Sequence, residues 1–445
     1  MKKANLVLMA ALAAAGLAGV TGGTLLPVSV AVAADKEKDK APKQKLSKDV
    51  AKPLMAAQKA MNEKDWATAS TEIEAARAVQ PQTPYDAFMI DELGWYVALQ
   101  QKDYPKSAAA LERALNSGFV PEADRSQRSK ALTQMLLQNK DYAKAIQFGS
   151  EYLKSNPGDE EIALQLAQAR YLSNDFEGAR AAVDQMVATS AKPPEPALLL
   201  ALRTSYEMKD AAGTTRALQG LVRHYPQEKY WEDLLNEQLF RTKDDRGLRA
   251  LYRLMADTNT LDKADDYAEM GSTLVAGGFP NEAKQVLEQG MATGLFSGDG
   301  RTRAQQELDR AKSGATLDAK ELASADAQLA AAKTGNAMVG IGKLFFSAGQ
   351  YEKAVDAIQK GLAKGGVTDV DDANLLLGIA QTRLQRADEA RAAFDAVKNP
   401  TLAEVAALWK LKVDVDGGAA ATSPATTDPA AADPATAPAT PPTTG

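Results

Sequence analysis

The sequence predicts an all-α fold, a right-handed superhelical solenoid of about ten stacked two-helix units, and three observations predict it. First, a small residue recurs two or three positions after an acidic-aromatic or glycine-containing turn, at Ala69, Ser107, Ala145, Ala179, Thr214, Leu248, Ala283, Ala319, Ala354 and Ala390. The intervals run from 34 to 38 residues, a period that belongs to stacked helix–turn–helix arrays. Second, alanine dominates, cysteine is absent and aromatics make up only 6% of the chain, a composition that suits helix. Third, one such unit cannot bury its own apolar face, so units must stack, and a stack presents an extended surface.

The ends read differently from the middle. Residues 1–33 carry Lys2 and Lys3, a mostly apolar stretch from Ala4 to Val20, and Ala31-Val32-Ala33-Ala34 before Asp35. A basic start, an apolar stretch and a small-x-small site describe a secretory signal cleaved after Ala33 or Ala34. An uncleaved anchor would need about 20 apolar residues, and Gly22, Gly23 and Pro27 interrupt the run. With no cysteine there is no lipidation site and no disulfide. Residues 34–52 are charged and read as linker, 53–413 as the helical array, and 414–445 as a tail of Ala, Pro and Thr too poor in large apolar residues to pack.

Within the array the clearest unit spans residues 335–366. Met338, Ile341-Gly342 and Phe345 form one face of a first helix, Gly349-Gln350-Tyr351 a turn, and Ala354, Ile358 and Gly361 a second helix. Other units carry parts of the same pattern. Asp65-Trp66 leads to Ala69 with Pro81 behind it, Leu93-Gly94-Trp95-Tyr96 precedes Asp103-Tyr104, and Asp141-Tyr142 leads to Ala145 with Pro157 behind it. Asp175-Phe176 leads to Ala179, Pro226 follows Thr214 at the same offset, and Leu377-Gly378 precedes Ala390 and Phe394. Proline at that offset fits a helix stop, because it cannot continue the hydrogen-bond ladder. This pattern resembles the tetratricopeptide repeat over residues 53–413, with the units around Thr214, Leu248 and Ala319 lacking the turn aromatic. The resemblance implies a superhelix whose first helices line a concave, partner-binding face, in an exported protein of the cell envelope.

Little of the residue inventory of catalysis is present. A single histidine, His224, and no cysteine remove Cys–His nucleophiles, Ser–His–Asp triads and the usual zinc sites. His224 in Arg223-His224-Tyr225-Pro226 reads as a cation at a helix end. Asp369-x-Asp371-Asp372-x-Asn374 lacks the glycine and glutamate of a calcium loop and fits the N-terminus of a helix. Gly340-Ile341-Gly342-Lys343 is followed by Leu344 and preceded by no strand, so it is not a phosphate loop. A net charge of −6 gives no basic footprint for nucleic acid. No enzyme, metal or cofactor is expected.

Counting back from each small residue gives two rows on the first helices. One, eight positions earlier, holds Tyr171, Tyr206, Phe240 and Phe346. The other, three residues before that, holds Tyr96, Gln134, Gln168, Arg203, Glu237 and Lys343. Facing inward to the groove, they would give one aromatic line and one mixed-charge line, suited to an extended peptide or a helix. An aromatic stripe at helical spacing equally fits packing between helices, and both readings stay open at this point. The functional expectation is a periplasmic or secreted adaptor that holds an envelope protein or peptide, with no membrane span once the signal is removed. A polysaccharide-binding or export scaffold and an envelope hydrolase are the alternatives.

Overall fold

Five consecutive turns of the first half share one backbone construction, and it explains the period. In the turn after Asn62, Lys64 adopts φ 60°, the left-handed region. Its N–H reaches Met61 O at 3.0 Å, and the N–H of Asp65 reaches Ala60 O at 2.9 Å. This is the Schellman closure of a helix C-terminus. Asp65 then caps the next helix, accepting from Thr68 N–H at 3.0 Å, so one residue ends one helix and begins the next. Lys102-Asp103, Lys140-Asp141, Asn174-Asp175 and Lys209-Asp210 repeat the geometry.

The recurring small residue lies four positions after the cap. Its N–H bonds the cap's carbonyl and its side chain is buried at Ala69, Ser107, Ala145, Ala179, Thr214, Ala283, Ala354 and Ala390. Leu248 is half-buried, because Gly247 takes the tight position there, where a Cβ would lie 2.9 Å from Thr242. Ala319 breaks the pattern: it lies exposed inside a 25-residue helix, Gly298–Leu322, and follows no turn.

The computed structural model describes residues 45–422, and every regular element among them is an α-helix. The chain divides into two units, the first ending at Ala217. Unit 1 contains α1 (Lys48–Asn62), α2 (Trp66–Ala78), α3 (Pro84–Gln100), α4 (Tyr104–Asn116) and α5 (Glu122–Gln138). It continues with α6 (Tyr142–Ser155), α7 (Glu160–Leu172), α8 (Phe176–Thr189) and α9 (Glu195–Glu207), and the boundary falls within α10 (Ala211–His224). The first helices touch one another, α1 on α3, α5 on α7 and α7 on α9. Clefts of about 210 Å³ and 430 Å³ separate α2 from α4 and α6 from α8. First helices therefore form the inner layer of a curved array. The array starts earlier than the sequence suggests: α1 begins at Lys48 with Val50 buried, and Asp86 in α3 accepts the Ser47 N–H at 2.8 Å.

Unit 2 contains α11 (Glu228–Arg241), α12 (Asp245–Asp257), α13 (Ala264–Ala276), α14 (Pro280–Ala292), α15 (Gly298–Leu322) and α16 (Ala325–Ala331). It ends with α17 (Gly335–Ser347), α18 (Tyr351–Lys364), α19 (Val370–Arg383), α20 (Ala387–Asp395) and α21 (Pro400–Thr422). The repeat is kept, but beyond α11 its inner face is not open. The array from α13 to α21 curls around α12, which packs on α13, α19 and α21 as well as on α11. Trp409 of α21 is fully buried and donates its indole N–H to Ala250 O at 3.1 Å. α21 runs through the start of the expected tail, with Asp414 paired to Arg391 at 3.0 Å. The signal segment, most of the linker and the tail after Thr422 lie outside the described residues.

Candidate partner-binding face

Both rows fall at equivalent positions in the repeat: the aromatic row two residues before the first helix's C-cap, the polar row five before it. Their surroundings differ between the units.

In unit 1, Tyr96 stands edge-on to Trp66 and Trp95 at 6.1 and 5.9 Å between ring centroids. Gln134, Gln168 and Arg203 follow on α5, α7 and α9, each half-buried. None of the three makes a side-chain hydrogen bond or ion pair among the described residues. Three polar side chains held on one line, with their hydrogen-bonding groups unspent inside the protein, are what a partner can use. Tyr171 is half-buried and its hydroxyl donates to Glu207 Oε1 at 3.3 Å. Burial, then the Glu207 charge, raise that hydroxyl's pKa. Tyr206 is 54% exposed.

In unit 2, Glu237 is half-buried and Phe240 is 82% exposed on α11, with Lys243 Nζ 5.7 Å from its ring centroid. Lys343 and Phe346 depart from the groove expectation. Lys343 Nζ pairs with Asp372 at 2.5 Å, and Phe346 is 1% exposed. The cause is α12. Its Arg253 guanidinium lies 4.4 Å from the Phe279 ring and 4.9 Å from the Phe346 ring. It donates Nε to Glu282 Oε1 at 2.9 Å and Nη2 to Glu282 Oε2 at 2.7 Å. Arg383 of α19 lies 5.7 Å from Phe346 and 5.3 Å from Tyr351, donates to the Tyr351 hydroxyl at 2.5 Å and pairs with Asp257 at 3.3 Å. Burial pushes the Glu282 carboxyl up, but Arg253 and then Arg383 outweigh it and hold the group below its ordinary value. For Asp257 burial wins over Arg383 and its pKa is raised.

Sequence reasoning missed this interior. The one local signal is three arginines, Arg246, Arg249 and Arg253, interleaved with Leu251, Leu254 and Met255 in one short segment. The other motifs resolve simply. Asp369 caps α19 through Asp372 N–H at 3.1 Å and pairs with Arg246 at 2.7 Å. Gly342 sits inside α17 where a Cβ would meet Ile358 at 2.6 Å. Among the described residues no group of three or more His, Cys, Asp or Glu side chains is placed to hold a metal ion, and no helix is long and apolar enough to cross a membrane.

Tetratricopeptide repeat families match residues 96–160, 136–203 and 339–403. These segments are tetratricopeptide repeats. Arrays of such repeats are protein-interaction scaffolds, which agrees with a groove that carries unspent polar groups. No curated protein matches the chain. Among solved structures, that of Naa15/Naa10 bound to HypK-THB is similar at 17% identity and a TM-score of 0.40, over 84% of this chain and 62% of that one. This chain thus spans about 62% of that chain's length. A tetratricopeptide repeat protein from Parabacteroides merdae ATCC 43184 is similar at 13% identity and a TM-score of 0.29, over 60% of this chain and 100% of that one.

Proposed function

We propose that this protein is an exported, periplasmic scaffold that holds another envelope protein along the inner face of unit 1. The observation that carries the reading is the line of Gln134, Gln168 and Arg203, half-buried on three successive first helices and without a side-chain hydrogen bond or ion pair among the described residues. Half-buried donors and acceptors with no partner among the described residues are open to a bound chain, and packing holds them in place for it. The basic and apolar start of the sequence, closed by Ala33-Ala34, supports export.

A photoreactive residue at Gln168, crosslinked in cells, tests the binding half. One enriched protein species is the expected result; crosslinks spread over abundant bystanders reject it. The export half is tested by the mature N-terminus, expected at Ala34 or Asp35. Full-length protein with Met1 intact in the cytoplasm rejects it.

A further inference from the structure

Two positions define the inner turn of each repeat: two residues before the first helix's C-cap, and the first residue of the second helix. Read along the chain they pair Met61 with Trp66, Leu99 with Tyr104, Leu137 with Tyr142, Tyr171 with Phe176 and Tyr206 with Ala211. Beyond these come Phe240 with Asp245, Val275 with Pro280, Phe346 with Tyr351 and Thr382 with Ala387. Only two of these turns are aromatic at both places. Their rings meet alike, Tyr171 on Phe176 at 5.4 Å and 59°, and Phe346 on Tyr351 at 5.3 Å and 69°.

In unit 2 this aromatic pair is occupied. Arg253, from the helix seated on the inner face, lies over Phe346, and Arg383 lies over both rings. Arg383 comes from the following first helix, one residue before its C-cap. In unit 1 the same position of the following helix is Glu207. Where unit 2 supplies its own cation, unit 1 supplies a carboxylate, already aligned by the Tyr171 hydroxyl at 3.3 Å. Glu207 is exposed and makes no ion pair among the described residues; Arg203, one turn earlier on α9, is not within ion-pair distance of it. Two aromatic faces and a carboxylate with no ion pair among the described residues complement a guanidinium, which stacks on rings and bonds carboxylate through its planar edge.

We infer that the Tyr171–Phe176–Glu207 corner of unit 1 receives an arginine from a helix of the partner protein, seated on that inner face as α12 is seated in unit 2. The inference rests on the proposed scaffold function and names the partner's chemistry. Its occupant is a short amphipathic helix with a basic stripe, for which α12 (arginines at 246, 249 and 253) is the template inside the same chain.

The test uses the full chain and a fluorescein-labelled peptide of residues 244–257, read by fluorescence anisotropy. Saturable binding is expected. It weakens on the order of fivefold when the peptide carries R253A, by a similar factor for Tyr171→Ala, and more for Glu207→Lys. Tyr171→Phe, which keeps the ring and the packing on Phe176, retains most of the binding, and Leu317→Ala on the exposed side of α15 leaves it unchanged. Absence of binding at millimolar peptide, equal binding of the R253A peptide, or indifference to both Tyr171→Ala and Glu207→Lys overturns the inference. Should crosslinking at Gln168 capture a partner whose bound segment presents no arginine to Tyr171, the scaffold function stands and this inference alone falls.

Discussion

Unit 1 and unit 2 are built from the same repeat, yet among the described residues unit 1 leaves the polar groups of its inner row unspent, and unit 2 covers Phe346 with a helix. In unit 1 the polar row holds Gln134, Gln168 and Arg203, which make no side-chain hydrogen bond or ion pair among the described residues. In unit 2 the equivalent Lys343 is tied to Asp372 and Phe346 lies under Arg253. The difference at Phe346 lies in α12, and that at Lys343 in an aspartate of the next first helix, α19. A helix that would ordinarily pack on the outer side is wrapped by the array that follows it. A groove in such a fold is therefore a property of what the rest of the chain does with it.

The sharpest way to break this contrast is to remove what closes unit 2. Trp409→Ala deletes a fully buried indole stacked on Phe394 at 6.3 Å and removes its N–H bond to the Ala250 carbonyl. The expected loss is about 3–5 kcal/mol. Hydrogen exchange should show it as lost protection in α12 and α19 with α3 to α8 unchanged. Equal loss in both units would mean that the closure does not belong to unit 2 alone. Glu282→Ala comes next. It strands Arg253 and Arg383 without their shared carboxylate in a buried site, a loss of about 3 kcal/mol. Glu282→Gln, which keeps the shape, should lose less; chemical denaturation compares the two.

A third experiment separates charge from shape where α12 begins. Asp244 caps α12, and its bond to Arg246 holds its carboxyl down at about 2. A carboxyl lowered in the folded state contributes stability that is complete above its unfolded value near 3.8 and is lost as the pH falls toward 2. Asparagine caps about as well as aspartate, so Asp244→Asn isolates the charge. The variant should be less stable than the parent at pH 6, by roughly 1–2 kcal/mol, and the two should converge between pH 4 and pH 2. A constant difference across that range would mean that Asp244 acts by geometry and not by charge.

Much of the fold was legible because its determinants are local. The small residue at Ala69, Ser107 or Ala145 marks the cap four residues before it, and the Asp at that cap needs only its own turn. The period misled at Ala319, where nothing nearby stops the helix and α15 runs on to Leu322. The inner rows were placed by counting, and counting found equivalent positions. It could not find α12's role, because Glu282 is 29 residues from Arg253 and Trp409 is 159 from Ala250. Contacts that distant are decided by how the array curves. No local pattern encodes that curvature, and so Phe346 looked like Tyr171 in sequence while lying in a different environment.

The two units also pay differently for their turns, and this gives the smallest and cleanest test. Unit 1 places lysine or asparagine in the left-handed position and follows it with an aspartate cap, as at Lys140-Asp141. Unit 2 uses Gly278 and Gly349 there, and Gln385 once, followed by Phe279, Gln350 and Arg386, which make no side-chain cap bond. A left-handed L-residue costs about 1–2 kcal/mol, less what glycine loses in chain entropy, about 0.5–1 kcal/mol. Lys140→Gly should therefore stabilise unit 1 by several tenths of a kcal/mol. Gly349→Lys should destabilise unit 2 by a similar amount, since a Cβ there meets nothing within 4 Å and only the backbone is strained. Opposite signs from this pair, measured by denaturation, would show that glycine in unit 2 replaces a capped turn and that the aspartates of unit 1 offset strain. Equal signs would place the difference in the surrounding packing instead.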